Sequence, residues 1–175
     1  MRNQKVLHNV VVPPCGFPPE CYVTSARMGR AFYLMFHLQP DSLFICFPQR
    51  KGLGEYCKVY WDNNFTHVRH ITTTVSLNET WGTWDDTLRS VAEAEKFARE
   101  QGYDTVRHYL VSDPTQLGRM WLIAKFNGIE NIHCIRVSGS GRPWGDIFPH
   151  EVFSYGKVFL KGSRALLKRL WESLN

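Results

Sequence analysis

The chain has 175 residues, 43% of them hydrophobic and 21% charged, with a formal net charge of +5. That length suits one domain with a substantial core, and that balance excludes both a disordered chain and a polyelectrolyte tail. No stretch approaches the roughly 20 consecutive apolar residues of a membrane helix; the best run, Ala31 to Leu38, already contains His37.

Met1 to Lys5 is positively charged, but Val6 to Val12 is interrupted by His8 and Asn9 and runs into Pro13-Pro14, which makes a poor export signal. A soluble, cytoplasmic protein without a membrane partner is therefore expected. The five cysteines, Cys15, Cys21, Cys46, Cys57 and Cys134, are an odd number in a chain long enough to need no staples, and are expected as thiols. Cys15 and Cys21 flank Gly16 to Glu20, which is not a zinc spacing, so both read as loop thiols and neither a metal nor a cofactor is expected. The triplets Asn64-Phe65-Thr66 and Asn78-Glu79-Thr80 carry no weight as glycosylation signals without export.

After the stretch from Pro13 to Pro19, three short runs rich in aromatic and branched residues predict strands: Ala31 to Leu38, Leu43 to Phe47 and Cys57 to Trp61. Turn residues separate them, at Gln39 to Ser42, Lys51 to Gly54 and Asp62 to Asn64. A fourth strand is predicted over Thr66 to Leu77, where two residue classes alternate. Thr83-Trp84-Asp85-Asp86 then resembles a helix start, with Thr83 as N-cap and acids in the first turn, and Gly102 is its stop. Thr105 to Val111 predicts a strand, Ser112-Asp113-Pro114 a second helix start, and Asn127-Gly128 its end. Ile132 to Val137 and Lys157 to Leu160 predict two further strands, and Ser163 to Leu174 a third helix with Leu166, Leu167, Leu170, Trp171 and Leu174 on one apolar face. No repeat or linker divides the chain. The expected architecture is a single α+β domain over residues 1–175, an N-terminal antiparallel meander packed in one layer pair against about three helices.

Charge is uneven: net +3 over residues 1–50, −2 over 51–100 and +4 over 101–175. Arg136, Arg142, Lys157, Lys161, Arg164, Lys168 and Arg169 crowd into the last third. A basic face of this kind can neutralise phosphates, although cations also suit the end of a solvated helix. The loop Ser138 to Gly145 is the best ligand-loop candidate. Gly139 and Gly141 allow backbone N–H groups to converge on an anion, with Arg142 as a bidentate donor and Trp144 as a stacking surface. The phosphate-loop and dinucleotide patterns are incomplete there.

Catalytic patterns are weaker. His67 and His70 fall on opposite faces of a strand. His70-Ile71-Thr72 resembles one half of the His-x-Thr pair of the 2H phosphoesterases, but the second half is missing, since Cys134-Ile135 follows His133 and Tyr109-Leu110 follows His108. No Gly-x-Ser-x-Gly elbow fits Ser138 or Ser140. Of the tryptophans, Trp84, Trp121 and Trp171 are expected between sheet and helices, and Trp144 exposed.

The sequence points to binding rather than catalysis. Arg136, Gly139, Gly141, Arg142, Trp144, Lys161, Arg164, Lys168 and Arg169 would form a surface for nucleic acid or another polyanion. The same surface on an acidic protein partner, as in a regulator or inhibitor, is one alternative. The other is a phosphoester or nucleotide hydrolase using His67, His70 or His133.

Overall fold

The computed structural model describes residues 4–15, 18, 20–38, 42–65, 71–80, 82–137 and 144–174, with backbone alone for 38, 77, 78 and 144–150. Strands and helices alternate along the chain: β1 (Val6–Val11), α1 (Tyr22–Leu38), β2 (Leu43–Gln49), α2 (Leu53–Asn64), β3 (Ile71–Glu79), α3 (Thr83–Glu100), β4 (Thr105–Ser112), α4 (Pro114–Phe126), β5 (Ile132–Arg136) and α5 (Trp144–Leu174). The strands form one sheet in the order β3-β2-β1-β4-β5, and every neighbouring pair is parallel.

This overturns the expected antiparallel meander, α+β class and single layer pair. The chain is an α/β protein, and its sheet carries helices on both faces. Three misread segments account for the difference. Ala31 to Leu38 is the second half of α1, whose Met28, Ala31 and Met35 are fully buried at helical spacing. Cys57 to Trp61 lies in α2, where Leu53, Cys57 and Trp61 recur every fourth residue toward the core. Lys157 to Leu160 is the middle of the 31-residue α5. Once two "strands" become helices, each remaining strand is joined to the next through a helix, and such crossovers produce parallel pairing.

The strand missing from the sequence reading is β1. Its two neighbours, β2 and β4, pair with it on both sides, and Leu7, Val10 and Val11 are fully buried. A central parallel strand is covered on both faces and reads as an almost unbroken apolar run rather than an alternation. Parity then sorts the core. Val10, Val12, Leu43, Ile45, Phe47, Tyr109 and Val111 pack with α1 and α2. Leu7, Phe44 and Cys46 meet Ala94 and Ala98 of α3, while Val11 and Leu110 meet Val91 and Met120.

Helix ends follow local chemistry. Asp113 caps α4 by accepting from the Gln116 N–H, with Pro114 in the first turn. Gly82, at φ 123°, precedes α3, so Thr83 is its first helical residue rather than its cap.

The fifth helix packs on α4 rather than on the sheet. Arg119 pairs with Glu151 at 3.1 Å, and the Tyr155 hydroxyl donates to Thr115 O at 3.1 Å. At Gly162 the two helices approach so closely that a Cβ would strike the Phe126 ring. The inward row of α5 is therefore Glu151, Tyr155, Val158 and Gly162, spaced as one helical face.

Candidate functional site

Open parallel sheets bind ligands outside the carboxyl ends of their strands, at the point where the strand order reverses. Here that point lies between β1 and β4. From β1 the chain leaves toward α1 on one face, and from β4 toward α4 on the other.

One guanidinium ties the two strand ends together. Arg27 of α1 donates from Nη1 to Pro13 O at 2.5 Å and from Nη2 to Asp113 Oδ2 at 2.5 Å. Arg27 is 2% exposed, and its Nε has no partner among the described residues. The other Asp113 oxygen, Oδ1, accepts the Thr115 hydroxyl at 2.7 Å and the Gln116 N–H at 3.1 Å. Burial pushes the Asp113 carboxyl up, but the Thr115, Gln116 and Arg27 donors outweigh it and hold the group below its ordinary 3.8.

A second carboxylate lies along the same edge. Asp86, in the first turn of α3, is 1% exposed and receives Arg50 Nη2 on Oδ2 at 2.8 Å. Its Oδ1 accepts no hydrogen bond among the described residues. Burial pushes this carboxyl above 3.8, and the Thr80 hydroxyl and Arg50 oppose that without reversing it. The two clusters are joined laterally. Gln116 Nε2 donates to Thr83 Oγ1 at 3.2 Å, and the Ser112 hydroxyl donates to Gln116 Oε1 at 3.3 Å.

At the lip of the β1–α1 connection, Cys15 Sγ and Cys21 Sγ stand 2.9 Å apart, and the Cys15 N–H donates to Thr24 Oγ1 at 3.1 Å. The connection lacks the glycine pattern that lets a pyrophosphate approach a dinucleotide-binding turn, since Pro13-Pro14-Cys15 opens it.

The residues singled out from the sequence are dispersed. Arg136 ends β5 and is exposed. Gly139, Gly141 and Arg142 lie outside the described residues, as do His67 and His70, and of Trp144 only its place as the first residue of α5 is described. Lys161, Arg164 and Lys168 are exposed on α5, and helical spacing sets them, with Lys157, on a common stripe. Arg169 turns away from that stripe, and its guanidinium lies over Gly128 at the end of α4. The predicted apolar face of α5 does not enter the core, because Leu167, Trp171 and Leu174 are 66%, 70% and 82% exposed. Trp171 and Trp121 are thus surface residues rather than filling between sheet and helices. Among the described tryptophan side chains, Trp61 is the fully buried one.

The described strand histidines stand away from the carboxyl edge. His8, Tyr109 and His133 stack in a row across three strands, with ring centroids 5.7 and 5.0 Å apart. His108 points to the opposite face, where burial pushes its pKa down to about 4.

Arg27, Asp86 and Asp113 were not singled out as site residues. The two aspartates lie in the helix-start signals Thr83-Trp84-Asp85-Asp86 and Ser112-Asp113-Pro114, and Arg27 lies in no such signal. Among the described residues, no group of three or more His, Cys, Asp or Glu side chains could hold a metal ion, and no helix is long and apolar enough to cross a membrane. No protein-family model matches this chain, and no curated protein and no solved structure matches it either.

Proposed function

We propose that this chain binds a small anionic molecule, carrying a phosphate or a carboxylate, in the crevice at the carboxyl edge between β1 and β4. The observation that carries this reading is the reversal of strand order at β1 in an all-parallel sheet. Parallel topology also aims the amino ends of the helices at this edge, where backbone N–H groups and helix dipoles favour negative charge. Arg50, about a third exposed beside Asp86, is the cation best placed to leave its partner for a ligand. If proton transfer accompanies binding, Asp86 is the candidate group, being buried with an Oδ1 that accepts no hydrogen bond among the described residues.

Thermal unfolding with inorganic phosphate, nucleotides, sugar phosphates and dicarboxylates tests the proposal. At least one should raise the melting temperature saturably, and Arg50→Ala should weaken that ligand about tenfold, roughly 1.4 kcal/mol. No response from any of the four classes would overturn it.

The outer side of α5 favours a second reading. Lys157, Lys161, Arg164 and Lys168 form a basic stripe beside the exposed Phe153, Leu160, Leu167 and Trp171. Cations bordering an apolar strip suit an acidic protein surface better than a nucleic acid, whose contacts are dominated by phosphate. Binding to labelled single- and double-stranded nucleic acid over a salt series separates the two. A steep negative slope supports nucleic acid, and no binding at low salt removes it.

A further inference from the structure

We propose that Cys15 and Cys21 are a redox-active dithiol that closes reversibly to a disulfide at the lip of the β1–α1 connection, with Cys21 as the attacking thiolate. Three observations carry this. The sulfurs are 2.9 Å apart, inside their van der Waals separation and beyond a bond, across only five intervening residues. Cys21 also opens a helix, since its carbonyl accepts the Ser25 N–H at 3.1 Å and the backbone N–H groups of Val23 and Thr24 donate to its sulfur. A helix amino end is where a thiolate is stabilised. Finally, the pair is accessible, Cys15 being exposed and Cys21 half-buried, whereas Cys46 and Cys57 are buried and pushed up to about 12.

The two thiols are also unlike. Burial raises both, but at Cys21 the hydrogen bonds from Cys15, Thr24 and the backbone prevail and lower it. At Cys15 burial and its bond to Cys21 leave it raised. The place of Cys21 at the amino end of the helix, with backbone N–H groups on its sulfur, assigns attack to Cys21 and resolution to Cys15, and the direction of the two shifts agrees.

The co-reactant is a low-molecular-weight disulfide, RSSR. The Cys21 thiolate attacks one of its sulfurs, forming Cys21–S–S–R and releasing RS⁻. The Cys15 thiol then gives up its proton, and its sulfur attacks Cys21 Sγ, forming Cys15–S–S–Cys21 and expelling the second RS⁻. Two electrons pass from the protein sulfurs to RSSR. The two protons of the dithiol end on two RSH, and excess thiol runs the exchange backward.

The full chain, incubated with glutathione disulfide and mapped by mass spectrometry, tests this. Wild type should lose two hydrogens across Cys15–Cys21 without retaining an adduct, and reduced glutathione should restore them. Cys15→Ser should retain glutathione on Cys21, whereas Cys21→Ser should form no disulfide at Cys15. With both variants folded by circular dichroism, Cys21 should be alkylated at neutral pH several-fold faster than Cys134, an exposed thiol whose pKa burial raises. The proposal is overturned if Cys15 and Cys21 stay reduced while a reference dithiol oxidises, or if the Cys15→Ser adduct forms on Cys134 and not on Cys21.

Discussion

Asp113 and Asp86 lie at the same edge of the sheet, each at the start of a helix, each buried and each facing an arginine, yet their carboxyls are driven in opposite directions. The difference lies in what surrounds the second oxygen. Both oxygens of Asp113 are occupied, by Arg27 on one side and by Thr115 and Gln116 on the other. Asp86 meets Arg50 at Oδ2 and has the Thr80 hydroxyl beside it, but its Oδ1 accepts no hydrogen bond among the described residues, and that arginine is about a third exposed. A buried carboxylate is stable as an anion only when its hydrogen-bonding capacity is filled, and an ion pair alone does not achieve that. Asp113 therefore reads as a structural tie between β1 and β4, and Asp86 as a group kept under electrostatic strain.

The largest expected effect is at the tie. Asp113→Ala leaves the Arg27 charge buried without its carboxylate and should cost about 3–5 kcal/mol in denaturant unfolding. Replacing both partners by apolar residues, Arg27→Met with Asp113→Leu, should recover part of that loss, because neither charge then remains buried while the cap of α4 is still missing. Asp86→Asn removes a charge that burial penalises, so it should leave stability at pH 7 within about 1 kcal/mol of wild type, or raise it. A cost for Asp86→Asn as large as that of Asp113→Ala would break the comparison.

The pH dependence sharpens it. The folded pKa of Asp113 lies below 3.8, so its contribution is present above the unfolded value and lost as pH falls through the folded one. For Asp86 the folded pKa lies above 3.8, so its penalty is absent in acid and appears as pH rises through that folded value. Unfolding free energies measured against pH should therefore show Asp113→Asn converging on wild type in acid, and any advantage of Asp86→Asn growing toward neutrality. Arg50→Ala should cost more than Asp86→Asn, because the buried Asp86 carboxylate then lacks its guanidinium, and adding Asp86→Asn to it should recover that cost.

Which parts of this were legible in the sequence follows from the same physics. The α3 and α4 helices were readable because each has a start signal, a polar face and a glycine stop at Gly102 or Gly128, with φ of 67° and 68°. The β2, β4 and β5 strands were readable as branched, apolar runs. Strand β1 was passed over because His8 and Asn9 interrupt its valines, and burial on both faces removes the alternation that marks a strand. Helices α1 and α2 were lost because their aromatic stretches, taken a few residues at a time, look like strands. Since the parallel topology depends on those two crossovers, the site fell with them. Arg27 and Asp113 are separated by 86 positions in the chain, and their meeting is a consequence of strand order rather than of any local motif.

The polar pair inside the sheet has a consequence for how the strands find their places. Asn9 of β1 is aligned with His108 of β4, both are buried, and Asn9 Nδ2 lies 3.0 Å from His108 Nδ1. Asn9 can only donate from that atom, so His108 accepts at Nδ1 and carries its proton on Nε2, toward Glu95 at 3.9 Å. If β4 slid by two residues along β1, Asn9 would face Val106 or Leu110, and two polar groups would be stranded among aliphatic side chains. A slide by one would turn the histidine to the other side of the sheet. Apolar strands of similar composition tolerate many alignments, and this pair distinguishes among them, acting as a key that admits one alignment of the central strands.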